Sequence, residues 1–221
     1  MKNHNLWQKL VLGVSLSILI CCLGAAGIHI PSLVYAEDKP ENRQAVDWAQ
    51  IIEDHRESST VESRLLRGIA YANLGSLAQA FEELSIAGEA TYHEDVASFV
   101  LDKLSELRHS PDDVLLLNCA AFGSYAFGDL EQSTNYFEKI IRLEPDNVWT
   151  RNFCAFTYGE RGDIDRAIHH LEHSLKLDRG NQYTHLLLSA AYKEKQQYLM
   201  AIYHYLQAPE AVRELKQHGA F

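Results

Sequence analysis

The chain has 221 residues and carries 30 acidic against 20 basic side chains, a formal net charge of −10. That balance repels phosphate backbones and anionic lipid, so nucleic acid is excluded as an expected partner. Four cysteines without a C-x-x-C pair exclude a disulfide framework and a zinc or redox motif of that kind.

Lys2 and Lys9 are the only charges before Ala36, and residues 10–28 carry none. Pro31 then breaks the helix ahead of Val34 and Ala36, which stand where a signal peptidase needs small side chains, and acidic Glu37 and Asp38 follow. Residues 1–36 therefore read as a secretory signal. An uncleaved membrane anchor is the alternative, since about 20 apolar residues span a bilayer. In both readings the positive end stays in the cytoplasm and the rest crosses. An extracytoplasmic protein is expected (secreted, periplasmic or attached to the cell envelope), with membrane contact only through this segment. Residues 37–44 are polar and read as a flexible tether.

Residues 45–221 read as one helical domain. Val46, Trp48, Ala49 and Ile52 are spaced for a helix over 45–57. Residues 61–94 form a first helix–turn–helix unit, in which Gly75 is expected to supply a left-handed turn and Ser76 to cap the second helix. A further amphipathic helix over 95–108 carries Val96, Phe99, Val100, Leu104 and Leu107. Residues 114–147 and 148–181 are two 34-residue units laid end to end. In register they share Asn118 with Asn152, Ala121 with Ala155, Phe122 with Phe156, Gly128 with Gly162 and Asp129 with Asp163. A fourth unit covers 182–208 with Gln196 in place of the turn glycine, Pro209 ends its second helix early, and 209–217 forms a charged closing helix.

A 34-residue period resembles the tetratricopeptide repeat family. Gly68, Tyr71, Gly75, Ala80 and Leu84 stand where that family sets a small residue, an aromatic, a turn glycine, an alanine and an aromatic or leucine. The likeness covers about 61–94 and 114–208, and departs from the family in lacking its early tryptophan: Arg64, Leu117, Arg151 and His185 stand there. It implies an all-α solenoid wound into a right-handed superhelix, and a binding scaffold in which the first helices line a concave groove. Carried onto this chain, the groove residues are Asn118, Phe122, Tyr125, Trp149, Asn152, Phe156 and Tyr183. Asparagine amides donate to and accept from a peptide backbone, and aromatics anchor a desolvated contact. The partner expected is a protein or peptide. The basic residues of the family's carboxylate clamp are absent from these places, so acidic chaperone tails are not expected.

A second reading rests on His169, His170 and His173, which share a helix face at spacings of three and four, suited to metal binding or pH sensing. The chain carries no G-x-S-x-G, phosphate loop, H-E-x-x-H or paired-carboxylate motif, so neither enzymatic activity nor a cofactor is expected. Cys119 and Cys154 are expected to be buried small residues rather than a disulfide.

Overall fold

The computed structural model describes residues 45–88 and 93–217; the signal or anchor and the tether read in residues 1–44 lie outside them. Among the described residues there are eleven helices and no strand. The described residues divide into two compact units, 45–145 and 146–217.

The 45–145 unit holds α1 (Trp48–Asp54), α2 (Val61–Asn73), α3 (Leu77–Ala87), α4 (His93–Leu107), α5 (Val114–Ala126) and α6 (Leu130–Leu143). The pairs α2/α3 and α5/α6 are helical hairpins, α1 packs on α2, and α4 packs on α5 and α2. Helix α1 is shorter than the 45–57 expected, because the Asp47 side chain accepts from the Gln50 amide and fixes the start at Trp48. The extra helix α4 starts at His93, two residues before the expected 95.

Local chemistry explains the hairpins. Gly68 sits where α2 meets α3; a Cβ there would lie 2.7 Å from Leu84 Cδ2, so any larger residue would force the Leu84 side chain to move. Asp113 and Asp129 cap α5 and α6 by accepting from the Leu116 and Gln132 amides. Ser76, expected to cap α3, makes no such side-chain bond. Helix α5 is apolar nearly all round, with Leu116, Leu117, Cys119, Ala120, Ala121 and Tyr125 buried. A helix of that kind must be covered on several sides, and α4 and α6 supply the cover. Val100 of α4 meets α5 at Gly123, where a Cβ would lie 2.7 Å from its methyls. The out-of-register helix is thus a packed part of the core.

An ion cluster ties the start of this unit together. The Glu83 carboxylate accepts from Arg67 Nε at 2.8 Å, Arg67 Nη2 at 2.9 Å and Arg64 Nη1 at 3.0 Å. Arg67 Nη1 also donates to the Ser58 carbonyl at 2.7 Å and to the His55 carbonyl. Arg67 is buried, and its pKa is raised by the Glu83 hydrogen bond against the opposing effect of burial. Lys139 of α6, also buried, pairs with Asp112 at 2.8 Å.

The 146–217 unit holds α7 (Val148–Glu160), α8 (Ile164–Leu177), α9 (Gln182–Glu194), α10 (Tyr198–Leu206) and α11 (Pro209–Gln217). Helices α7, α8 and α9 each pack on the next, α7 also touches α9, and α11 packs on α9. Asn147, Asp163 and Asn181 cap α7, α8 and α9. The short α10 ends at Leu206, ahead of Pro209, as the missing proline N–H requires.

Four hairpin turns share one hydrogen-bond pattern. Ser76, Asp129, Asp163 and Gln197 each donate back to the carbonyl five residues earlier, at 2.8–2.9 Å. The residue before each donor has positive φ: Gly75, Gly128, Gly162, and Gln196 at 61°. Gln196 thus makes the same turn as the glycines while carrying a Cβ. Gln196→Gly should therefore raise stability by about 1 kcal/mol, since the left-handed conformation costs an L-residue about 1–2 kcal/mol. Urea denaturation followed by circular dichroism reads this directly; an unchanged or lower midpoint contradicts it.

Candidate protein-interaction surface

The first helices of the repeats carry the residues expected to line a groove, and the structure sorts them into two groups. Asn118 is 0% exposed and Asn152 is 2% exposed. Neither can reach a ligand from there, which corrects the groove role expected for them. Asn118 Nδ2 donates to the Val114 carbonyl at 2.8 Å, and its Oδ1 accepts from Asn73 Nδ2 at 3.0 Å. Asn152 Nδ2 donates to Thr184 Oγ1 at 2.9 Å. Each amide bonds a neighbouring first helix, α2 to α5 and α7 to α9. A buried amide is costly unless paired, so these bonds fix how adjacent repeats align. Tyr125 and Phe156 are also buried and belong to the core rather than to a surface.

Phe122, Trp149 and Tyr183 keep part of their surface. Phe122 meets Phe137 edge to face, with centroids 5.4 Å apart. Trp149 and Tyr183 hold the same place in consecutive repeats, on α7 and α9, and meet edge to face at 5.8 Å. Burial raises the Tyr183 hydroxyl pKa, and a hydrogen bond to the Glu214 carboxylate of α11 raises it further. The tyrosine is therefore a neutral donor at any physiological pH, held in place at both ends of its ring.

The three histidines do not share one environment. His169 is exposed, His173 is half-buried, and His170 is buried with its ring stacked on Tyr158 at 5.5 Å. His173 is shifted to lower pKa by burial and by the Arg151 and Lys176 charges.

A different histidine pair is closely joined. His185 of α9 and His204 of α10 are both buried, with their Nδ1 atoms 2.8 Å apart. His185 Nε2 lies 3.2 Å from the Arg179 carbonyl, which only an N–H can satisfy. That places the His185 proton on Nε2 and makes its Nδ1 the acceptor for His204 Nδ1–H. Tyr192 stacks on His204 at 5.5 Å and donates to Glu172 Oε1 at 3.0 Å. Burial, with His185 beside it, pushes the His204 pKa down to about 4. His204 and its partner lie on different helices, 19 residues apart, a pairing that has no local signal in the sequence.

Cys119 and Cys154 are buried and not joined in a disulfide, and burial pushes the Cys119 pKa up to about 12.

Hairpins of 34-residue period, positive-φ turns and stacked first helices define an all-α helical-repeat protein of the tetratricopeptide type. Among solved structures the chain is similar to "MamA RS-1 ArsTM double mutant", with TM-score 0.50 and 16% identity over 75% of this chain and 83% of that one. It is also similar to "MamA MSR-1 C2", with TM-score 0.49 and 16% identity over 75% of this chain and 87% of that one. These are tetratricopeptide-like all-helical proteins, and at such identity the likeness concerns the fold alone. No protein-family model and no curated protein matches the sequence.

Proposed function

We propose that this chain is a non-enzymatic repeat scaffold, exported or membrane-anchored, that binds a protein or peptide through the first-helix face of its repeats. The observation that carries the reading is the Trp149–Tyr183 pair, in which each ring keeps part of its surface. Rigid aromatics presented side by side, with little conformational entropy left to lose, are the chemistry of interface hot spots. The tetratricopeptide-type fold supports a scaffold role, and the N-terminal signal or anchor supports the location. The metal or pH-sensing alternative at His169, His170 and His173 is not favoured, because the three do not share one environment: His169 is exposed, His173 half-buried and His170 buried.

Crosslinking and affinity capture from envelope fractions test the reading, comparing the parent with Trp149→Ala/Tyr183→Ala. Loss of a hot-spot pair costs at least about 2 kcal/mol, so partner recovery should fall by roughly thirtyfold or more. Equal recovery of the same partners, with helicity unchanged, rejects this face.

A further inference from the structure

Among the described residues, the second helix of the last repeat, α10, reverses the repeat pattern of surface polarity. In register, the outward positions of α6 hold Glu131, Asn135 and Glu138, and those of α8 hold Asp165, His169 and Glu172. The same positions of α10 hold Leu199, Tyr203 and Leu206. Leu199 is 86% exposed and Leu206 is 68% exposed. The adjoining face is open too. Ile168 of α8 is half-buried and Leu171 fully buried, whereas their counterparts Ile202 and Tyr205 are exposed, and α11 packs on α9 rather than over them. The nine-residue helix contains no Asp, Glu, Lys or Arg. A helix that is apolar all round is normally buried, and this one is far too short to cross a bilayer.

We infer that α10 is a self-association surface, which docks on α10 of a second copy of this chain about a two-fold axis. An isologous contact must be complementary to itself. A charge-free patch meets that condition on a protein with net charge −10, where a patch bearing the average surface charge would repel its own copy. Laid antiparallel, the two helices put Ile202 and Tyr203 near the axis and Leu199 of one copy beside Leu206 of the other. The composition is that of an interface core, with tyrosine and methionine enriched and charge depleted. The exposed apolar side chains of α10 offer on the order of several hundred Å² per copy to such a contact, the lower end of what specific interfaces bury. A membrane surface fits less well, because peripheral helices that lie on anionic bilayers pair their apolar face with a basic one, and here the chain is acidic. The inference does not depend on the Trp149–Tyr183 surface.

The test uses the full chain with a photo-reactive phenylalanine analogue in place of Ile202, irradiated in the producing cells. Its comparison is the same chain carrying Leu199→Asp, Tyr203→His and Leu206→Glu, the residues that α8 already accommodates at these places. A crosslinked band at twice the chain mass is expected in the parent, with its yield at least tenfold lower in the triple variant and circular dichroism unchanged. Absence of that band, a band of another mass alone, or a doubled band that persists in the triple variant overturns the inference. Flotation with phosphatidylcholine vesicles supplies the remaining outcome: parent binding lost in the triple variant, without a doubled band, makes α10 a lipid surface and the inference false.

Discussion

Glu83→Ala should destabilise the 45–145 unit by about 3–5 kcal/mol, the cost of stripping a buried ion of its partner. The carboxylate accepts three hydrogen bonds from Arg64 and Arg67, and Arg67 has no water to fall back on. Without Glu83, the guanidinium keeps only the Ser58 and His55 carbonyls, which supply dipoles but no countercharge. The loss is concentrated in the α2–α3 hairpin and in the turn that brings α1 onto α2. Glu53→Ala is the matched control: its pair with Arg56 is 64% and 66% exposed, and exposed pairs contribute at most a few tenths of a kcal/mol. Urea titrations of both variants separate the effects. A Glu83→Ala midpoint close to that of Glu53→Ala would show that the cluster is decorative.

Acidification is expected to weaken the 146–217 unit through His204. The folded pKa of about 4 lies below the ordinary 6.5, so the unfolded chain takes up the proton first. Above pH 6.5 both states are neutral at this site and stability is unaffected. As pH falls from 6.5 to 4 the unfolded state gains progressively, by roughly 3 kcal/mol in total, and below 4 the loss is constant. The groups facing His204 are His185 and Tyr192 of α9, Tyr203 beside it, and Glu172 of α8, whose charge opposes the shift without cancelling it. His173 is shifted in the same direction, so a comparison is needed to isolate the pair. His204→Gln should lower stability at neutral pH and flatten its dependence between pH 6.5 and 4. Parallel parent and variant curves across that window would remove His204 as the cause.

Turns and most caps were legible because they are set within a few residues, whereas the ends of α1 and the start of α4 differ from those expected. Asp113, Asp129 and Asp163 cap from one residue before their helices, and Gly75, Gly128 and Gly162 take the positive φ that ends a hairpin's first helix. Ser76 shows the limit, since a capping residue type in the capping place forms no bond there. The candidate surface was legible only in part. Trp149 and Tyr183 lie side by side on consecutive first helices. Asn118 and Asn152 have the polarity of surface residues but bond a neighbouring repeat, and polarity alone does not say which neighbour absorbs it.

The sequence by itself determined the all-helical class, the 34-residue hairpins and their interruption, since period, glycine placement and capping act along the chain. Tertiary structure decided the rest. It turned paired asparagines into inter-repeat bonds, joined His185 to His204, and made the extra helix a cover for α5. It also left α10 apolar and exposed. Those outcomes depend on which face of one helix meets which face of another, and that is fixed by packing between residues far apart in sequence.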